Sequence, residues 1–377
     1  MAKRAFRYRF YPTEPQAQEL LRTFGCVRLV YNKALQTRFD LWRAEQRRLD
    51  YAATSAMLTD WKRDPDLSFL AEVSSVPLQQ TLRHLQAAFT NFFAKRARHP
   101  RFKSRRRSRA SAEYTRSGFR WRDGTLKLAK MITPLNIVWS RPLPAGAVPS
   151  TVTVTRDPAG RWFVSFRVET AVVHHPQSTR TIGVDAGITA LLTFSTGEKI
   201  TNPRHERRER AALARAQRRH SRKILGSANR DKARRKVARV HARITDRRRD
   251  FLHKLTTRLV RENQTIVIED LNVSGMVRNH CLARAISDAS WSQFRSLLEY
   301  KAAWYGRSLI TVDRWFPSSK TCSTCGQLVD SLQLNVREWT CRGCGCLHDR
   351  DVNAAQNILA AGLAATACGD GVRPNRL

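Results

Sequence analysis

The sequence predicts a multidomain α+β protein of 377 residues, and three observations carry that prediction. Stretches with the 3.6-residue period of a helix alternate along the chain with stretches of strand period two, and neither period runs throughout. Hydrophobic residues make up 42% of the chain, with 16 Phe, 9 Trp and 7 Tyr. That apolar stock supplies more than one core, at a length expected to divide into two or three domains. Finally, five of the eight cysteines crowd into residues 322–346, which predicts a small metal-held finger rather than a disulfide framework spread through a fold.

Taken in order, RAFRYRFYP (4–12) alternates bulky and basic side chains up to Pro12 and reads as a short strand. From Glu14 to about Leu49 the pattern turns helical, with Leu20, Phe24, Val27, Tyr31 and Ala34 on one stripe. A second helix spans roughly 76–96, with Leu78, Leu82, Leu85, Phe89 and Phe92 on one face. It runs into a basic loop, KRARHPRFKSRRRSR (95–109), interrupted by Pro100. From Glu113 to Glu169 the period shifts to two. The plainest hairpin is TVTVTRDPAGRWFVSFRVE (151–169), turning at Asp157-Pro158-Ala159-Gly160. HHPQSTR (174–180) reads as a linker. A new unit then opens with three short strands, TIGVDAG, ITALLTFS and EKIT, from Thr181. A basic helical pair over 204–250 follows, with a weak stripe of Ala211, Ala214, Ile224, Val237, Val240 and Ile244. TIVIED (265–270) is a buried strand, and 291–307 a helix ended by Gly306. Beyond Gly362 little periodicity remains, so 363–377 is expected to be a disordered tail.

Charge narrows the function classes. With 68 Lys+Arg against 31 Asp+Glu the formal net charge is +37, a self-repulsion that a polyanionic partner would relieve. Residues 204–250 alone hold 19 Lys+Arg and 5 Asp+Glu, a local +14. Nucleic acid is the expected partner, held through phosphates with release of counterions. Arg101, Lys103, Arg105, Arg106 and Arg107 in the first basic stretch are candidate contacts, as are Arg218, Arg219, Arg234, Arg235 and Lys236 in the second. The alternative for any charge run is a solvated surface; Phe102, set among the cations, favours the contact. No charge-poor apolar stretch reaches spanning length, so no membrane partner is expected. MAKRAFRYRF lacks the apolar segment of a secretory signal, so a cytoplasmic location is expected.

Cys322-Ser-Thr-Cys325 and Cys341-Arg-Gly-Cys344 form two CxxC knuckles able to place four thiolates tetrahedrally on one structural zinc. Gly326 and Gly345 relieve the two tight turns. Cys346 reads as a bystander thiol that could compete for the metal, and Cys26 and Cys281 as core packing. The second set is acidic. Asp185 follows the apolar Ile182-Gly183-Val184 and precedes Gly187; Glu269 ends Ile266-Val267-Ile268; Asp349 and Asp351 open DRDVNAAQNILA (349–360), a helix with Val352, Ala355, Ile358 and Leu359 on its apolar face. Buried acids at strand ends are costly without a partner, and divalent cations such as two Mg²⁺ would supply one. The alternatives remain open at this point. Asp270 should face away by strand alternation, Asp349 could cap the helix, and sugar-kinase and actin-like ATPases also carry a GVDxG turn.

The stretches IVIEDLNVSGM (266–276), LARAISD (282–288), YKAAWYG (300–306), VDRWFPSSKTCSTCG (312–326) and HDRDVNAAQNI (348–358) resemble the TnpB (OrfB) family of bacterial insertion sequences. So does the N-terminal YRFYPTEPQ…VYNKAL pattern, and the resemblance covers essentially the whole chain. It implies a miniature type V CRISPR-like effector: a β wedge (1–13 and 110–174) with a helical recognition insert (14–109). An RNase H-like RuvC α/β nuclease domain (179–315 and 347–362) with an inserted zinc-ribbon finger (316–346) would complete it. Asp185, Glu269 and Asp351 match that family's catalytic acids, and Cys322, Cys325, Cys341 and Cys344 its zinc ligands; Cys346 is a departure. The implied cofactors are two catalytic Mg²⁺ (or Mn²⁺) and one structural Zn²⁺. The implied partners are a guide RNA from the transposon end and double-stranded target DNA with a short adjacent motif, in a bacterial or archaeal cytoplasm near the nucleoid. The implied activity is RNA-guided DNA cleavage. A nuclease-inactive guided DNA-binding regulator and an RNase H-like transposase are the alternatives; the presence of all three acids favours the nuclease.

Overall fold

The structure is a computed structural model that describes residues 2–172, 174–333 and 335–367. Two compact units divide the chain, Met1–Ala171 and Val172–Leu377.

In the first unit β1 (Ala2–Phe10) is followed by α1 (Glu14–Glu45), α2 (Tyr51–Arg63) and α3 (Ser75–Phe93). Then come β2 (Ala110–Thr115), the hairpin of β3 (Phe119–Arg122) and β4 (Thr125–Leu128), the two-residue β5 (Ile137–Val138), β6 (Thr151–Arg156) and β7 (Trp162–Thr170). An antiparallel sheet runs β2-β6-β7-β1-β5. The alternation of β1 buries Tyr8 and Phe10 with Val154, Val164 and Phe166. Thr13 and Gln16 form a capping box that starts α1, and its predicted stripe from Leu20 to Ala34 is buried. α2 carries no readable stripe, since only Thr54 and Leu58 are buried along it. The basic loop after α3 is irregular. Asn32 pins it by exchanging hydrogen bonds of 2.8 Å with the backbone N–H and C=O of Lys103.

The second unit opens with β8 (Thr181–Ala186), β9 (Ala190–Phe194) and β10 (Lys199–Thr201), then α4 (His205–Ser221) and α5 (Ala228–Glu262). β11 (Thr265–Glu269), α6 (Val273–Met276), α7 (Ala283–Ala289), α8 (Trp291–Tyr305) and β12 (Ser308–Val312) follow. The chain then makes a small β13–β14 ladder (Glu338–Thr340, Leu347–Asp349) and ends in α9 (Arg350–Ala367). The sheet order is β10-β9-β8-β11-β12. The first three strands are antiparallel, while β11 lies parallel to both β8 and β12. Ile182, Val184, Ile266 and Ile268 face a core shared with α5 and α8, and the alternate residue Val267 packs with Ile310 and Ile358 under α9.

α9 lies directly on β8 because position 183 has no side chain. A Cβ at Gly183 would sit 2.1 Å from the Ala355 carbonyl oxygen and 2.8 Å from Leu359 Cβ. The backbone of α9 would have to move, so Gly183→Ala is expected to cost about 3 kcal/mol, at the upper end of core overpacking. Chemical denaturation of the second unit measures it; a cost below about 0.5 kcal/mol would mean that α9 does not seat on this strand.

Asp288 caps α4 from a distance. Its side chain, 6% exposed, accepts from the amides of Glu206 and Arg207 and pairs with Arg248 of α5 at 2.9 Å. Buried Lys301 of α8 donates three 2.7 Å hydrogen bonds to His253 O, Thr256 Oγ1 and Thr257 Oγ1 of α5.

Three expectations need correction. Ile224 is 80% exposed in the turn between α4 and α5 and Ala211 is exposed on α4, while Leu213 of α4 and Ala233 of α5 are buried instead. Cys281 is exposed in the turn before α7, where too few side chains converge to form a core. Residues 363–367 continue α9, as their alanine content favours; the rest of the expected tail, 368–377, lies outside the described residues. Among the described residues no helix is long and apolar enough to cross a membrane.

Candidate metal centre and acidic site

The two knuckles are built alike. Gly326 N–H bonds Cys322 O and Gly345 N–H bonds Cys341 O, each at 2.9 Å, with both glycines at positive φ. Cys322 N–H then bonds Gln327 O, and Cys341 N–H bonds Cys346 O, again at 2.9 Å. Cys346 therefore closes its knuckle through its carbonyl, the place that Gln327 fills in the other. The four predicted sulfurs lie within 4.8 Å of one another. The Cys322–Cys344 and Cys325–Cys341 sulfur pairs are 3.6 Å apart. A zinc tetrathiolate with bonds of about 2.3 Å has edges of roughly 3.8 Å, so the set fits Zn²⁺.

A residue that the spacing did not flag stands beside it. His348 Nε2 is 3.1 Å from Cys322 Sγ, and its ring packs on Trp339, its partner across the ladder, at 4.9 Å. Burial would push the Cys322 thiol up, but the Cys325 and Thr324 amides and His348 pull it down to about 5. Its position two residues after Cys346 was the available signal.

The acids come from three elements at one end of the sheet. Val184 of β8 is in register with Ile268 of β11. Asp185 and Glu269, one residue further on, therefore point to the face that Gly183 and Val267 present to α9. Asp351 stands in the first turn of α9. Burial first, then the charges of Glu269 and Asp351, push the Asp185 carboxyl up to about 7, with Arg350 opposing. Glu269 Oε1 accepts from Ser318 Oγ at 2.8 Å, and Asp351 Oδ1 is 3.6 Å from Arg337 Nη1. Among the described residues the cysteines are the one such group with ligand atoms inside 4.8 Å. The carboxylates are coupled by their fields without converging on a point. Two cations about 3.5–4 Å apart spread their ligands in this way, and a cluster of three carboxylates suits hard divalent ions.

The neighbouring acids serve structure. Asp349 Oδ1 accepts from the amides of Asp351 and Val352 at 3.1 and 3.0 Å, capping α9, and its other oxygen pairs with Lys199. Asp270 is held by Arg295 and Arg314, which bring its carboxyl below the usual range against the effect of burial.

Of the candidate phosphate contacts, Arg101, Arg105, Arg106 and Arg107 are exposed, whereas Lys103 packs its ammonium 3.8 Å over the Tyr31 ring. Arg218 and Arg219 on α4 and Arg234, Arg235 and Lys236 on α5 are exposed; Arg234 pairs with Asp231. Arg215, Arg219 and Lys236 line a groove of about 160 Å³ between the two helices.

Comparison with known proteins now has geometry to stand on. Residues 164–280 match the OrfB_IS605 family, described as a probable transposase, and residues 291–358 a Cas12f1-like TNB domain. Residues 1–47 match a helix-turn-helix domain of OrfB proteins, although here that stretch folds as β1 and the single helix α1. A Streptomyces pristinaespiralis protein named "Putative RNA-guided DNA endonuclease" is 70% identical over 374 residues, 99% of this chain and 93% of its own. InsQ of Escherichia coli K12, named in the same way, is 34% identical over 99% of this chain and 95% of its own. A solved Cas12f1 in complex with sgRNA and target DNA shares the fold, with a TM-score of 0.56 at 15% identity over 91% of this chain and 82% of that one. The class is thus that of OrfB proteins of insertion sequences with a Cas12f1-like fold. This chain belongs to the TnpB family.

Proposed function

We propose that this protein is an RNA-guided DNA endonuclease that hydrolyses phosphodiester bonds of target DNA under the direction of a guide RNA from the transposon end. The observation that carries the proposal is the placement of Asp185, Glu269 and Asp351 on two neighbouring strand ends and a helix start at one end of the sheet, where Glu269 and Asp351 help raise the Asp185 carboxyl. The strand order, three antiparallel strands then two parallel ones, supports an RNase H-like RuvC domain. The names of the relatives support the substrate and the guide.

In this reading Asp185, Glu269 and Asp351 hold two Mg²⁺ ions. When bound, the ions lower the pKa of an attacking water and stabilise the leaving oxygen. The chain's own part is to fix the three carboxylates on a strand end, a neighbouring strand end and a helix start. Ser318 donates to one of them, and Asp349 is occupied in capping α9. Four cysteines hold one Zn²⁺ and fold the 316–346 finger. Basic residues of the 95–109 loop and of α4 and α5 hold phosphates, while base pairing reads the sequence. The cell compartment in this reading is the bacterial or archaeal cytoplasm, near the nucleoid.

Sequencing the RNA that co-purifies with the protein, expressed with its native flanking DNA, tests the guide. A discrete species ending in a variable segment is expected; bulk ribosomal RNA alone would contradict it.

A further inference from the structure

Ser318 and two asparagines of α9 hold no metal in the proposed chemistry, yet they join the finger to two of the three acids. The chain leaves β12 at Val312, which is in register with Glu269, and returns six residues later to place Ser318 Oγ 2.8 Å from Glu269 Oε1. Among the described residues no other hydrogen bond reaches that carboxylate. Ser318 is 4% exposed, and Asn353 and Asn357 are 1% and 6% exposed. The two asparagines lie one helical turn apart, on the helix that carries Asp351 in its first turn. Asn357 Nδ2 donates to Ser318 O at 2.8 Å and Thr321 O at 2.6 Å, and Asn353 Nδ2 donates to Thr321 O at 2.7 Å. Asn353 Oδ1 in turn accepts from Ser323 N–H, inside the first knuckle, at 2.8 Å.

We infer that Ser318 is a positioning residue for Glu269, and that the Asn353–Asn357 clamp locks it, through the first cysteine knuckle, to the helix bearing Asp351. Zinc binding then sets the distance between two acids that approach from different elements. The inference rests on the proposed metal-binding role of those acids. A carboxylate beside two others turns away from them unless a donor holds it, and the Ser318 hydroxyl is that donor. Buried amides held by several hydrogen bonds are rigid, so the clamp passes the position of the knuckle on to α9.

The test uses the full-length protein–RNA complex loaded with zinc. Mn²⁺ binding is followed by its electron paramagnetic resonance signal, and cleavage by its Mg²⁺ requirement. Ser318→Ala is expected to weaken Mn²⁺ about tenfold and to raise the Mg²⁺ requirement similarly, as loss of a partner that orients a metal ligand does. Zinc content should stay at wild type, and Ser318→Thr, which keeps the hydroxyl, should restore binding. Unchanged Mn²⁺ affinity in Ser318→Ala would overturn the inference. So would loss of zinc in parallel with Mn²⁺, because the serine would then merely hold the finger together. Weakened Mn²⁺ binding in a complex that never cuts DNA would sustain the inference and remove the proposed activity. A wild type that binds no Mn²⁺ would overturn both.

Discussion

Asp185→Asn is expected to lower cleavage at least about a thousandfold and to make the metal-free protein more stable at pH 8. The first effect would follow from removing one of the carboxylates proposed to hold the cations, which would supply several kcal/mol of charge stabilisation, with each 1.36 kcal/mol worth tenfold in rate. The second follows from linkage. Burial, and then Glu269 and Asp351, raise this carboxyl from an ordinary 3.8 to about 7, so the native state holds its proton while the unfolded chain has lost it. Stability contributed by the protonated form is therefore present below about pH 4. It is lost as the pH rises to about 7, leaving a penalty of up to a few kcal/mol above that. Asparagine keeps the shape and removes the penalty. Melting in chelator should show the variant several degrees above wild type at pH 8, at roughly 2–4 °C per kcal/mol for a unit of this size. The gap should narrow towards pH 5. RNA affinity should stay within about twofold, because the candidate phosphate contacts lie elsewhere. A variant that loses RNA binding and cutting together, or that melts below wild type at pH 8, would deny Asp185 this role.

Cys341→Ser should release the zinc and lower cleavage at least about a hundredfold with the three acids intact. Among the described residues the finger's own core holds Cys322, Trp339 and Cys341, with Val329, Leu332 and Val336 partly buried against it. Segments below about 40 residues rarely fold on so little without a metal, and structural zinc contributes about 10–16 kcal/mol in small fingers. Once the knuckle opens, Ser323 no longer fixes Asn353 and Ser318 no longer fixes Glu269. Limited proteolysis should then cut within 316–346 while leaving β8–β11 protected. A zinc-free variant that cuts at the wild-type rate would separate the finger from the nuclease chemistry.

What was legible in the sequence and what was not divides along physical lines. Periodicity revealed the hairpin of β6 and β7, the stripe of α1 and the helix of α8 ended by Gly306, because each repeats its pattern over several turns or pairs. The CxxC spacing was readable because a metal site constrains sequence locally. Asp185, Glu269 and Asp351 stood out as acids ending apolar strands or opening a helix, and the family resemblance selected them. β12 was hidden because SLITV is short and directly follows a helix. Gly183 drew no notice beside the more prominent Gly187, because its value is the approach of α9, 172 residues further along at Ala355. Asp288, His348, Ser318 and the two asparagines act through partners distant in sequence or set by the turn of a ladder, and no local pattern marks such pairs. Cys281 misled for the complementary reason: a cysteine is usually buried, and this one sits in a turn.

The most direct measurement of the central claim is cleavage of a supercoiled plasmid by the purified protein–RNA complex. The plasmid carries a sequence matching the guide beside a library of adjacent motifs. The account predicts double-strand breaks in Mg²⁺ that require the match and the RNA, stop on chelation and are absent with Asp185→Asn. Guide-dependent binding of the matched plasmid without any cut, or strand transfer proceeding without RNA, would contradict it.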